Sequence, residues 1–103
     1  PVAIAHSETA TGSEIPEVLE LANARPNPAS GPALLEYGLP ESARVRLAIY
    51  DVLGREVAVL VDDDRPAGFH EIRFDTRKLA AGTYVLRLIT DGEARIRKLT
   101  IAR

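Results

Sequence analysis

The chain lacks cysteine, tryptophan and methionine, and its 5% aromatic content leaves little for a stacking platform that binds sugars. The absence of cysteine excludes a disulfide scaffold, a thiolate zinc site and a cysteine nucleophile. No apolar run approaches the ~18 residues of a transmembrane helix, and no usual N-terminal export signal opens the chain. The net charge is −2 and the acidic and basic residues are interspersed, so the chain has no positive electrostatic field that would attract nucleic acid. We therefore expect a domain whose fold is stabilised by its hydrophobic core alone.

The polar residues offer no constellation for catalysis or cofactor binding. His6 in a predicted linker and His70 at a predicted strand start are both expected to be surface or edge residues. The run Asp62-Asp63-Asp64 lacks the alternating ligands and the turn glycine of a calcium loop, so a solvated turn is favoured over a weak calcium site. We predict that the chain is not an enzyme and needs neither a metal nor a cofactor.

The pattern along the chain separates a loose start from an ordered remainder. Residues 1–16 have low hydrophobicity and no sustained period, which predicts a flexible linker. Residues 17–103 carry a series of strand signals that continues to the last residue. Because chain termini fray unless something holds them, this asymmetry suggests the last module of a longer protein.

Period-2 alternation predicts seven short strands separated by turns, which is typical of an antiparallel immunoglobulin-like β-sandwich. Asp51 and Gly54 are suited to the hairpin turn after the third strand, and Asp91-Gly92 to a tight turn of the primed type. Residues 62–68 are predicted to be a polar loop, residues 79–82 a connector with one helical turn, and Tyr84 a corner residue. The predicted strands cover residues 18–21, 35–39, 44–49, 56–61, 70–75, 83–89 and 93–101.

The last predicted strand contains an irregularity and an excess of positive charge. Ile96 has even parity while Leu99 and Ile101 have odd parity, so a β-bulge near residues 97–98 is predicted to return Leu99 and Ile101 to the core. The last nine residues carry four cations and no acid, and anti-aggregation charge on an exposed strand explains such a row more simply than a binding patch. The four cations are Arg95, Arg97, Lys98 and Arg103.

From about residue 22 to the end, the chain resembles the type A C-terminal sorting domains of the type IX (Por) secretion system. The resemblance rests on short motifs that occur in the family's order and end at the C-terminus. An alanine follows Pro28 where the family often has an aromatic residue. The motifs are Pro26-Asn27-Pro28, Tyr37-Gly38-Leu39-Pro40, the segment 45–57 with Asp51, Gly54 and Arg55, Gly68-Phe69-His70, Gly82-Thr83-Tyr84 and Arg97-Lys98-Leu99.

The resemblance implies a non-catalytic signal at the end of a larger cargo protein, addressed to an outer-membrane translocon. The implied partners are type IX translocon components, a sortase-like signal peptidase that cuts upstream within residues 1–16, and the covalently linked N-terminal cargo. The implied route passes through the periplasm to the outer-membrane surface or the extracellular space. The family shares its sandwich with the immunoglobulin-like domain of flagellar hook-capping proteins, so the alternative is a passive spacer in a surface or flagellar protein.

The resemblance also directs attention to the last strand as the recognition element. We expect this strand to present an edge and a basic row to a translocon subunit, with strand addition supplying backbone hydrogen bonds. Residues 97 and 98 are expected to set the register. The predicted recognition residues are Arg97, Lys98, Leu99, Gly82 and Tyr84, and the predicted structural motif residues are Pro26, Asn27, Pro28, Asp51, Gly54 and Arg55.

Overall fold

The computed structural model of the chain describes residues 7–11 and 15–102, which form eight strands and one short 3-10 turn. Within this part no helix is long and apolar enough to cross a membrane. The 3-10 turn, Thr76–Lys78, lies just before the connector in which a helical turn was predicted. The strands are β1 (Ser7–Thr11), β2 (Glu20–Leu21), β3 (Pro32–Leu39), β4 (Ala43–Asp51), β5 (Glu56–Arg65), β6 (Gly68–Asp75), β7 (Gly82–Thr90) and β8 (Glu93–Ile101).

The strands form two four-stranded antiparallel sheets that face each other as an immunoglobulin-like sandwich. The first sheet has the order β1-β6-β3-β2 and the second the order β5-β4-β7-β8. The predicted fold class is therefore confirmed, and β7 is an interior strand as predicted. Strands β2 to β8 are the seven expected ones, and β1 pairs with β6 from within the range predicted to be a linker.

Alternating side chains of both sheets form one core. The first sheet contributes Leu35 and Tyr37 from β3, and the second contributes Leu47 and Ile49 from β4. These residues have the parity that the sequence pattern assigned to the inner face. Their burial explains how a chain without disulfides holds two sheets together, since fully burying a large apolar side chain contributes roughly 1.5–3 kcal/mol.

Strand β5 is longer than predicted, because it continues through the acidic run to Arg65. The prediction of a polar loop from residue 62 is wrong over residues 62–65. Asp62 lies opposite Arg46 on β4 and accepts hydrogen bonds from Arg44 and Arg46 at 3.1 and 2.8 Å. Opposite charges on adjacent strands stabilise an exposed pair, so this acidic segment stays in the sheet.

The predicted bulge in β8 is wrong. Strands β7 and β8 pair without a break from Gly82↔Ile101 to Thr90↔Glu93, so parity is kept throughout. Leu99 and Ile101 are buried, whereas Ile96 faces outward with 55% of its surface exposed. The register shifts lie instead between β4 and β5, at Leu47/Ala48 and Ile49/Tyr50.

Two smaller predictions are also corrected. The turn Asp91-Gly92 connects β7 and β8, but only Gly92 has a positive φ, of 85°. Both primed turns need positive φ at the first central residue, so this turn is not of the primed type. His70 is buried rather than exposed: its ring stacks on Tyr37 at 5.0 Å, and its Nε2 lies 2.9 Å from the carbonyl oxygen of Pro66.

Candidate functional site

The turn between β4 and β5 is organised by the carboxylate of Asp51. Its Oδ1 accepts from the backbone amides of Leu53 and Arg55 at 2.9 and 3.0 Å, and its Oδ2 accepts from the Arg55 guanidinium at 2.8 Å. These contacts, led by the Arg55 amide, lower the pKa of Asp51. Gly54 has φ of 83°, the positive value predicted for this position. The turn therefore holds Val52 and Leu53 at a fixed tip.

Tyr84 forms a corner at the start of β7. Its hydroxyl donates to the carbonyl of Ala80 at 2.6 Å, which confirms the predicted corner role. Its side chain is 8% exposed, and Gly82 at the strand start is exposed. Tyr84 thus fixes the connector after the 3-10 turn against the core and leaves Gly82 at the surface.

These motif residues lie together although they are far apart in sequence. Asp51 is the cross-strand partner of Tyr84, and Tyr84 is in turn the partner of Leu99 on β8. Between the hairpin turn and the β7 start lies a concavity of about 270 Å³. We call this region the motif end. It comprises residues 51–55, 81–84, 99–101 and 26–29.

The Pro26-Asn27-Pro28 motif attaches to the outer edge of β8. The side-chain amide of Asn27 donates to the carbonyl of Lys98 at 3.0 Å, and its oxygen accepts from the amide of Thr100 at 3.0 Å. Ala29 continues this contact by donating to Thr100 and accepting from Ala102, both at 2.8 Å. The Asn27 side chain therefore takes the place of a neighbouring strand beside the last part of β8. The sequence predicted a turn here but not this contact.

The three predicted recognition residues of β8 have different environments. Lys98 is exposed on the outer face, whereas Leu99 is 1% exposed and belongs to the core. Arg97 is exposed, yet it shares the inward parity of Leu99 and lines a groove of about 450 Å³ beside β2. Leu99 and Tyr84 are buried beneath the exposed residues of β7 and β8. They hold this part of the sheet in place but offer little area of their own for a partner to contact. Arg103, also in the predicted basic row, lies outside the described residues.

The tip of the β4–β5 turn exposes two apolar side chains that were not among the predicted site residues. Val52 and Leu53 are 73% and 74% exposed and stand beside the concavity at the motif end. Large apolar side chains at a turn between Asp51 and Gly54 were the available signal, because turns favour polar residues. Apolar side chains exposed next to a concave surface often mark interaction sites.

The described residues hold no group of three or more His, Asp or Glu side chains arranged to hold a metal ion. In the acidic run, Asp62 contacts two arginines, and Asp63 accepts from the Asp64 amide at 2.8 Å and pairs with Arg65 at 3.4 Å. Arginine side chains and a backbone amide therefore satisfy these two carboxylates. The observed geometry of the run is that of a charged strand surface.

Stability is expected to fall as the pH drops from about 4 to about 2. The Arg77 side chain lowers the pKa of Asp75 to about 2. The pKa of Asp63 is lowered by the Asp64 amide, and that of Asp51 by the Arg55 amide. Groups whose pKa is lower in the folded state stabilise it above their unfolded pKa of ~3.9 and lose that contribution as they are protonated. Urea midpoints measured from pH 6 to pH 2 test this. Asp75→Asn should make the urea midpoint depend less on pH at the acidic end of this range. A wild-type midpoint that stays the same from pH 6 to pH 2 would contradict the expectation.

Comparison with known proteins identified one family. A family model described as a secretion system C-terminal sorting domain matches residues 23–102. None of the curated proteins and none of the solved structures matches the chain. The matched range contains every predicted recognition and motif residue, and it begins after β2.

Proposed function

The chain belongs to the family of secretion-system C-terminal sorting domains, and we propose that the motif end and the adjoining part of β8 are the surface that the secretion machinery recognises. As a member of this family, the chain is a C-terminal sorting signal of type IX secretion. It directs a cargo fused on its N-terminal side toward the cell surface or the extracellular space. The family match does not favour the alternative of a passive spacer.

The proposed surface is supported by the convergence of separate motifs. The hairpin turn at Asp51, the corner at Tyr84 and the Asn27 contact lie at the same end of the β5-β4-β7-β8 sheet. Tyr84 connects the turn to β8, because it is opposite Asp51 on one side and Leu99 on the other. Each has a structural explanation of its own, which is a hydrogen bond that fixes a turn or an edge. Their shared result is a rigid end that presents Val52, Leu53 and Lys98 to solvent. Sites on rigid elements are the ones that a partner can read with little loss of entropy.

The finer steps of sorting form the second part of the proposal. We propose translocon subunits and a sortase-like peptidase as direct partners, with periplasmic transit before the outer membrane. Cleavage is proposed within residues 1–16. A peptidase cleft takes an extended, accessible segment, so any scissile bond within Ser7–Thr11 requires that this strand first leave β6. The domain itself is proposed to be non-catalytic.

A reporter export assay tests the proposed surface. The 103-residue chain is fused behind a reporter enzyme that carries an N-terminal signal for entry into the periplasm. The fusion is expressed in a host with a type IX translocon and in one without it. Export is expected only in the first host, and Lys98→Glu is expected to reduce it roughly tenfold by reversing charge at the surface. Lys78→Glu, the same exchange on the exposed 3-10 turn, is the matched control.

Each of the following outcomes would overturn this proposal. Equal export in both hosts would show that the chain carries no address for this translocon. Full export of the Lys98→Glu fusion, or equal losses in both lysine variants, would show that recognition does not use this part of β8. Thermal unfolding of each purified variant establishes that the domain is folded, because a folding defect also lowers export.

A further inference from the structure

Strand β8 is an edge strand whose outer side is covered over only part of its length. Asn27 and Ala29 bond to the backbone of Lys98, Thr100 and Ala102, which are even-numbered residues. In an antiparallel ladder, alternate residues direct their backbone groups to the same side. The backbone groups of Ala94 and Ile96 therefore also point away from β7, but no segment lies beside them in the described sheet order.

Arginine side chains contact the carbonyl groups of this open part. Arg95 donates to the carbonyl of Ala94 and Arg97 to that of Ile96, each at 2.9 Å. A guanidinium has donors only, so neither arginine offers an acceptor to the outward amide of Ile96. Both are solvent-accessible side chains on their own strand, and a neighbouring strand can displace them at little cost. This edge thus retains the hydrogen-bonding capacity for one more strand.

The charges around the open edge favour an acidic partner. Arg95 and Arg97 line the groove beside β2, while Lys98 stands on the outer face together with Ile96. Glu93 pairs with Arg95 at 3.2 Å, and Glu20 lines the groove without forming an ion pair to either arginine in the described part of the chain. Arg97 has no acidic partner among the described residues. Residues 93–98 therefore carry three cations and one acid, Glu93, and Glu20 is the one acid that lines the groove beside them.

We propose that an extended acidic segment of the recognising partner adds as a ninth strand to β8 along residues 94–97. The proposal rests on the function proposed above and gives its partner a chemical class. On one face of the added strand, acidic side chains enter the groove and contact Arg95 and Arg97. On its other face, apolar side chains lie beside Ile96. Asn27 ends the added strand, because it already occupies the backbone of residues 98–100.

The probe is a synthetic peptide of eight residues in which Glu and Val alternate, titrated into the 103-residue chain at low salt. Ile96→Pro removes the outward amide and leaves the ladder to β7 intact, and Ile96→Ala keeps that amide as the matched control. Ile96→Ala is expected to lose only the apolar contact at this position. Relative to Ile96→Ala, binding is expected to weaken by roughly a further three- to tenfold in Ile96→Pro, the effect of one net hydrogen bond.

Charge is tested separately with Arg97→Gln, for which Arg73→Gln is the control, because Arg73 is exposed on β6, an interior strand of the other sheet. Arg97→Gln and added salt are expected to weaken binding, and a Lys/Val peptide is expected not to bind. Equal binding by Ile96→Pro and Ile96→Ala would overturn strand addition, and equal binding by the Lys/Val peptide would overturn the acidic preference. Concentration-dependent dimerisation that the peptide abolishes would make a second copy the occupant, which also contradicts the proposal.

The export assay keeps this inference separate from the proposed function. Suppose that the wild-type fusion is exported only with the translocon, and that the Ile96→Pro and Ile96→Ala fusions are exported to the same level. The inference is then wrong and the sorting function stands. If the wild-type fusion is not exported, the proposed function itself fails. Parallel losses of peptide binding and export in Ile96→Pro support both.

Discussion

Leu99→Ala is expected to lower the free energy of unfolding by about 3 kcal/mol, whereas Ile96→Ala on the same strand changes it by less than about 0.5 kcal/mol. Leu99 is 1% exposed and packs in the core shared by both sheets, so its truncation leaves a cavity as well as lost apolar contacts. Ile96 is 55% exposed and has little buried surface to lose. Urea unfolding followed by far-ultraviolet circular dichroism measures both values.

This pair of variants also tests the register of β8. The two residues lie three positions apart, so a bulge between them would place both side chains in the core. Comparable losses of several kcal/mol in Leu99→Ala and Ile96→Ala would therefore contradict the continuous pairing with β7. A large loss for Leu99 alone agrees with that pairing and shows that Leu99 acts through folding, since its buried side chain offers almost no contact area.

Gly38→Ala is expected to cost about 1–3 kcal/mol of stability, because the added methyl group has no room. A Cβ at this position would lie 2.8 Å from Cε1 of Phe69 and 2.9 Å from Cγ of Pro16. Both neighbours are rings, and both must move before the methyl group fits. The motif that contains Gly38 thus has a packing reason for its glycine.

Gly31→Ala is the matched control for this prediction. A Cβ at Gly31 meets nothing within 4 Å, so alanine is tolerated there and should leave stability unchanged or raise it by about 0.4–1 kcal/mol. Urea midpoints of the two variants give the comparison. A Gly38→Ala protein as stable as wild type would show that the sheet around β3 adjusts more easily than the packing implies.

Sequence pattern was sufficient where a strand has one face in the core. Leu47 and Ile49 on β4 alternate with residues of the outer face, so parity alone located them. The pattern failed at β8 because the inward side of its first half faces a groove instead of the core. Arg95 and Arg97 are tolerated at inward positions there, and the exposed Ile96 then gave a false impression of slipped register.

The remaining differences depend on partners that are remote in sequence. The acidic end of β5 stays in the sheet because Arg44 and Arg46 lie on the adjacent strand, and charge alone had predicted a loop. Asn27 reaches Lys98 across 71 positions, a contact that no local pattern encodes. For the site, the sequence located the hairpin turn and the Tyr84 corner, but it did not indicate which residues lie beneath the surface.

The Asn27 contact also bears on how the chain avoids aggregation while it folds. Pairing of β7 with β8 needs only a short hairpin and can form early, whereas docking of Asn27 joins segments more than 70 residues apart. Contacts of such long range form slowly. Until Asn27 docks, the whole outer edge of β8 is open to unwanted pairing with other chains, and the positive charges on that strand oppose such pairing. The basic row therefore protects the edge first, and the asparagine later closes its final third.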